Sequence, residues 1–376
     1  MRKVGIAELP LHWGNAPKWL FDRMVKLGSK ITETIVFEYG IEEFLRRLSN
    51  PFWFQSFSCV LGWDYHSSGS TTVLTAVLKD AINPQKFGLG IAGGKGKASR
   101  KTPEEIKKIG EDFSLSSSKI EKLVYSSKMS AKIDNVAIQS DYHLYHHSFF
   151  FTEKGKWVVI QQGMDVNTQT ARRYHWFSEE MKSFVEEPHS AICCDLKKEN
   201  VLDMTSRKSE EARKVSLDLV KEGPRRVKND LLSLRPVYQK NLSEFIPTKT
   251  KKDFVTYILK MPRKVNWKVL EKAYNFQPRN YEELLGIEGI GPSTVRGLAL
   301  ISEIIYGSPP SWKDPVKFSF AYGGKDGVPK PVNRKSMDES INFLEEILKQ
   351  AEIEKREKLE ALKRLKNIIP NKQILE

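Results

Sequence analysis

Apolar residues recur at helical spacing near the start of the chain. Trp19, Leu20, Met24, Leu27, Ile31 and Ile35 predict a helix from about Ala16, ended by Gly40. A short second helix follows over 41–48 and stops at Asn50-Pro51. The next run, Pro51-Phe52-Trp53-Phe54-Gln55-Ser56-Phe57, is too aromatic for an exposed loop and reads as core. Further on the pattern shortens. Tyr145 to Phe151 and Trp157 to Gln162 are aromatic and β-branched runs around Glu153-Lys154-Gly155-Lys156, the signature of a hairpin. Thr102-Pro103-Glu104-Glu105 reads as a capping box opening a helix to about Asp112, and Ser118 with Glu121 opens another.

Beyond about Asn200 helical spacing returns at Val215, Leu219, Leu231 and Leu234, with breaks at Gly223-Pro224 and Arg235-Pro236. A last capping box, Ser336 with Glu339, announces a long charged helix that can run to about Ile369. The pattern therefore predicts an α+β protein. A mixed α/β domain over 1–200 carries the candidate active site. A basic, mostly helical domain spans 201–335, and a charged C-terminal helix occupies 336–376.

Composition adds a partner. The chain has 376 residues, 40% apolar and 10% aromatic, enough to exclude a mainly disordered polymer. Its 61 Lys and Arg exceed 47 Asp and Glu by 14 charges, which favours phosphate-rich partners. The excess is local: residues 205–272 hold 18 basic against 8 acidic residues. No apolar run approaches the ~18 residues of a membrane span. Pro10, His12 and Asn15 interrupt any leader-like apolar stretch. Cys59, Cys193 and Cys194 form neither a disulfide framework nor a zinc-binding spacing, so a reducing, cytoplasmic setting is expected.

Residues 280–307 carry the most specific nucleic-acid signal. Asn280-Tyr281-Glu282-Glu283-Leu284-Leu285 is a short capped helix running into Gly286-Ile287-Glu288-Gly289-Ile290-Gly291, after which Pro292-Ser293-Thr294-Val295-Arg296 starts another. The segment resembles the helix-hairpin-helix motif of DNA repair proteins. Gly289 and Gly291 allow a sharp turn, and the helix start at Ser293 and Thr294 offers N–H groups to a phosphate. Such a module grips the sugar-phosphate backbone and reads little sequence. In the subset of such proteins that are strand-cleaving glycosylases, a lysine opens the second helix. Here that place holds Ser293 or Thr294, and Asp314 lies close to the position of the family's aspartate.

The N-terminal two-thirds resembles an uncharacterised, mainly archaeal family, domain of unknown function seven-six-three. The strings that carry the resemblance include Gly5-Ile6-Ala7-Glu8-Leu9-Pro10-Leu11-His12, Asp64-Tyr65-His66-Ser67-Ser68-Gly69, Ser130-Ala131-Lys132-Ile133-Asp134-Asn135 and Glu186-Glu187-Pro188-His189-Ser190. The resemblance implies at most an association with DNA repair and transfers no catalytic assignment.

Gly93-Gly94-Lys95-Gly96-Lys97 with Arg100 and Lys101 suits a cationic phosphate cradle. It lacks the spacing of a P-loop, so no NTP is expected. Lys132 and Asp134 suit attack on an aldehydic sugar carbon and charge relay. His143 and His175 are candidates to stack on or hydrogen-bond an extruded base, and Arg172 and Arg173 to hold phosphate. As strand residues His143, Tyr145 and His147 share one face, and His146 takes the other. No metal motif is present, although His143, His147 and Asp64 are candidate ligands for Mg or Mn.

Three readings stay open. One is a base-excision glycosylase and abasic-site lyase without a cofactor. The second is a metal-dependent nuclease, and the third a non-catalytic DNA scaffold.

Overall fold

A computed structural model describes residues 16–63, 68–194, 196–234, 262, 265–316, 338, 341 and 342. Asp64 and nearly all of the predicted C-terminal helix over 336–376 lie outside the described residues.

The N-terminal helices form where the apolar spacing places them. Helix α1 (Lys18–Tyr39) ends at Gly40, whose φ of 85° suits glycine, and α2 (Ile41–Ser49) follows directly. The Asn50 side chain accepts from Phe52 N at 2.9 Å and Trp53 N at 3.1 Å. With Pro51 in the first turn, that cap turns the aromatic run into a helix, α3 (Pro51–Val60). Helix α4 (Ser68–Ala81) and a single turn, α5 (Pro84–Phe87), lead into strand β1 (Leu89–Lys95).

The lysine-glycine run is therefore not a loop. Gly93, Gly94 and Lys95 pair with Ser148, His147 and His146. A Cβ on Gly93 would lie 2.2 Å from the His147 carbonyl oxygen, so only glycine allows this approach. Lys97–Arg100 forms one turn, α6, and α7 (Thr102–Asp112) follows. The expected capping box does not form. Thr102 Oγ1 donates to Ser99 O at 2.8 Å, while Glu105 accepts from Gly93 N at 2.7 Å and pairs with Lys79. The first turn of α7 is thus spent on holding β1.

Helix α8 (Ser117–Lys132) is capped by Ser116 and runs into a five-residue π-helical turn, Ile133–Ala137. After the short β2 (Ile138–Gln139) comes the predicted hairpin, β3 (His143–Thr152) and β4 (Trp157–Asp165), turned at Gly155 with a φ of 85°. Strands β5 (Thr170–Phe177) and β6 (Ala191–Cys193) complete a five-stranded antiparallel sheet in the order β1-β3-β4-β5-β6. β7 (Leu202–Asp203) pairs with β2.

Both faces of the sheet are covered, and the two-residue alternation decides which side chain enters which core. Phe150, Val158, Ile160 and Phe177 pack with Met24, Phe44, Phe54 and Leu74 of the N-terminal helices. Phe149, Phe151, Val159, Tyr174 and Trp176 pack with residues from α7, α8 and the later helices. Those later helices are α9 (Glu210–Glu222), α10 (Pro224–Ser233), α11 (Trp267–Phe276), α12 (Tyr281–Gly286) and α13 (Pro292–Ile304). Gly223, with a φ of 102°, and Pro224 separate α9 from α10 as the sequence predicts. Leu219, Leu284 and Leu298 belong to the same continuous core as Trp176.

Candidate functional site

Helices α12 and α13 are joined by a tight turn through Ile287, Glu288, Gly289 and Ile290. Asn280 caps α12 by accepting from Glu283 N at 2.8 Å. Gly289 takes a φ of 93°, and a Cβ there would meet Val269 Cγ2 at 2.6 Å. Gly291, the residue before α13, supplies no side-chain cap. The first N–H groups of a helix have no intrahelical acceptor, and among the described residues no side chain replaces one. Gly289, Pro292 and Ser293 are exposed, whereas the Thr294 side chain is buried. Of the expected contacts on this turn, Thr294 can therefore offer backbone alone.

Pro292, Ser293 and Arg296 form one wall of a cavity of about 330 Å³, and Asn135, Gln139 and His143 line it from the sheet end. Gln139 fastens the two walls together. Its Nε2 donates to Pro292 O at 2.9 Å, and its Oε1 accepts from Arg296 Nε at 2.7 Å. Burial lowers the pKa of Arg296. The sequence reading missed Gln139, which belongs to no recognisable string, and named Arg296 only as part of the second helix's start.

Lys132 closes α8 and is half-buried. Burial lowers its pKa, opposed by the negative charge of Glu288 in the glycine turn. Asp134, only two residues on, belongs to another environment. It sits in the π-helical turn, fully buried, and its carboxylate accepts from Gln161 Nε2 at 2.6 Å and Trp176 Nε1 at 2.9 Å. The His189 ring nitrogen Nε2 lies against its other oxygen. Burial raises the Asp134 pKa, and the His189 and Trp176 contacts oppose the rise. Gln161 continues the chain, since its Oε1 meets His147 Nδ1 at 2.8 Å and His147 Nε2 meets Ser127 Oγ at 2.8 Å. Asp134 is thus the hub of a sealed polar network beneath the sheet, and the expected Lys132–Asp134 pair is not formed. His189, Gln161 and Ser127 were missed as members. His189 in Glu186-Glu187-Pro188-His189 and the amide pair Gln161-Gln162 gave a signal, the amides as candidates to read base edges, and Ser127 gave none.

The expected histidine cluster does not assemble. A β-bulge lies between Leu144 and His146, with Leu144 opposite Gly163 and His146 opposite Gln162. The extra residue reverses the alternation, so His143 pairs with Met164 and His147 with Gln161, on opposite faces of β4. Tyr145 and His146 both meet partners of the N-terminal face, Gln162 and Thr75. His175 is fully buried on that face as well, with Nδ1 3.3 Å from Leu48 O and its ring edge-on to Phe54. Burial, followed by the charge of Arg173, holds its pKa well below the ordinary value. His175 and Asp134 therefore share no pocket. Among the described residues no group of three or more His, Cys, Asp or Glu can hold a metal ion.

Arg172 and Arg173 are 0% exposed and cannot meet a phosphate, because β5 lies inside the sheet with helices over both faces. Arg172 Nη2 donates to Asp314 Oδ2 at 2.6 Å, and the same oxygen accepts from Lys198 N at 2.8 Å. Asp314 is consumed by this buried ion pair, which ties the segment after α13 to the sheet. Arg173 lies over the Phe54 ring at 4.7 Å. Lys95, Lys97, Arg100 and Lys101 are all exposed, and Lys95 lines a second cavity rather than the one beside the glycine turn.

Fold and geometry define a class, an antiparallel sheet enclosed by helices with an uncapped helix start beside an open cavity. The family model described as Protein of unknown function (DUF763) matches residues 5–332, and the chain belongs to that family. No curated protein and no solved structure matches it. No helix among the described residues is long and apolar enough to cross a membrane.

Proposed function

We propose that the chain binds DNA through the sugar-phosphate backbone at the glycine turn and the start of α13. The observation that carries this reading is the exposed, uncapped helix start at Gly291, Pro292 and Ser293, beside the half-buried Arg296. Free N–H groups and the helix dipole favour an anion at that end, and a guanidinium on the same wall adds charge. The resemblance to the helix-hairpin-helix motif points the same way, as does the charge excess of 14. The test is duplex affinity by fluorescence anisotropy at low salt. Ser293→Glu puts a carboxylate where a phosphate would sit, yet suits a helix N-terminus, so it should weaken binding about tenfold without loss of fold.

Lys132 supports a second, catalytic layer to this reading, repair of damaged DNA by the base-excision route. A lysine kept partly from water carries a larger neutral fraction and can attack C1′ of an opened abasic sugar. Water leaves as the protonated imine forms. Loss of a C2′ proton to solvent then breaks the C3′–O bond, and the strand leaves as a phosphate. Borohydride should trap the imine on wild type and not on Lys132→Ala, with EDTA making no difference. Trapping that survives the substitution removes Lys132 from this role. A nuclease built on His143 and His147 has no support in the geometry, because the bulge parts them.

A further inference from the structure

The second cavity, of about 420 Å³, lies between α4, β1 and β3 on the N-terminal face of the sheet. We propose that it binds a nucleoside monophosphate unit. Its size falls within the roughly 300–1,000 Å³ of small-molecule sites. Phe21, Val73 and Ala76 give it an apolar wall, suited to a planar ring.

Behind that wall His146 forms part of the lining and is 1% exposed. Its Nε2 lies 3.0 Å from Thr75 Oγ1, which already donates to Thr71 O at 2.8 Å. Nε2 also lies 3.1 Å from Ser148 Oγ, so both side-chain contacts of the ring fall on that nitrogen. Nδ1 is buried and has no partner among the described residues. A buried ring nitrogen without a partner is a cost that a polar group on the edge of a base would remove. At the mouth stand Lys95, exposed and part of the lining, and Asp80. Lys97 and Arg100 are exposed on the next turn. Cations for a phosphate, a carboxylate for a sugar hydroxyl, an apolar slot and a deep, unpartnered ring nitrogen together match the parts of a nucleotide.

The unit has two possible sources, a free nucleotide or one turned out of a DNA strand. The inference does not depend on the glycine turn, so Ser293→Glu should leave it intact. Calorimetric titration of the whole chain with adenosine monophosphate, ribose 5-phosphate and inorganic phosphate tests it. The nucleotide should bind saturably and at least tenfold more tightly than either fragment. Lys95→Ala should weaken the nucleotide about tenfold. Ala76→Trp, at an exposed position of α4, should fill the slot and abolish binding with an unchanged circular dichroism spectrum. Absence of nucleotide binding, equal binding of inorganic phosphate, or full affinity in Ala76→Trp would overturn the proposal. An oligonucleotide carrying 2-aminopurine then separates the sources. A fluorescence rise competed away by adenosine monophosphate identifies a strand nucleotide, and nucleotide binding without that rise identifies the free form.

Discussion

Asp134 and Lys132 stand two residues apart and do different work. Removing the Asp134 carboxylate leaves Gln161, Trp176 and His189 without a buried acceptor, each at about 1–3 kcal/mol. Asp134→Ala should thus lower stability to urea by about 3 kcal/mol or more, and Lys132→Ala by no more than about 1 kcal/mol. Equal losses would show that the network is not what holds this region. The buried histidines make a second prediction. Burial depresses His146 from 6.5 to about 3 and His147 to about 4, with His175 well below its ordinary value. Below pH 6.5 the unfolded chain binds more protons than the folded one, so stability is full above that pH and falls as acid is added. Each histidine contributes a slope of about 1.4 kcal/mol per pH unit within its own window. Asp134 acts the other way, since its raised pKa makes the folded state bind more protons just above 3.8. Burial raises Asp203 in the same way, and three histidines against these two carboxylates predict a lower urea midpoint at pH 5 than at pH 7. His146→Gln should make that dependence shallower, and an unchanged slope would contradict the assignment.

Among the elements, those set by local chemistry were legible from the sequence. Gly40, Gly223-Pro224 and Gly155 end or turn their segments by backbone rules that need no tertiary knowledge. The bulge at Tyr145 and the π-helical turn after Lys132 were not legible. Each adds one residue to a regular period for the sake of contacts made by distant strands, and the histidine pattern was misread for that reason. Likewise Gly93-Gly94-Lys95 reads as a phosphate cradle in the sequence, whereas its glycines serve a close strand approach. That difference is measurable. Gly93→Ala meets the His147 carbonyl and should cost more than about 3 kcal/mol or prevent folding. Gly96→Ala meets nothing within 4 Å, though its φ of 60° should still cost about 1 kcal/mol. Comparable losses in thermal or urea unfolding would place Gly93 outside the strand pairing.

At the scale of the molecule, a sheet with helices on both faces leaves little of its polar sequence for recognition. The arginines of β5, His175 and Asp134 all read as chemistry in the sequence and serve the interior in the fold. A single sequence does not reveal which strands are covered twice, so their burial could not be read in advance. The chain carries a positive excess of 14 charges, and among the described residues one opening lies under the start of α13 and another beside Lys95. The claim that joins these features is that the first opening belongs to a surface that docks on nucleic-acid backbone. Duplex affinity measured across salt concentrations tests it most directly. The account predicts binding at low ionic strength that falls steeply and linearly in log–log form as counterions compete, and that Ser293→Glu weakens. Salt-independent affinity, or no association with duplex at low ionic strength, would contradict it.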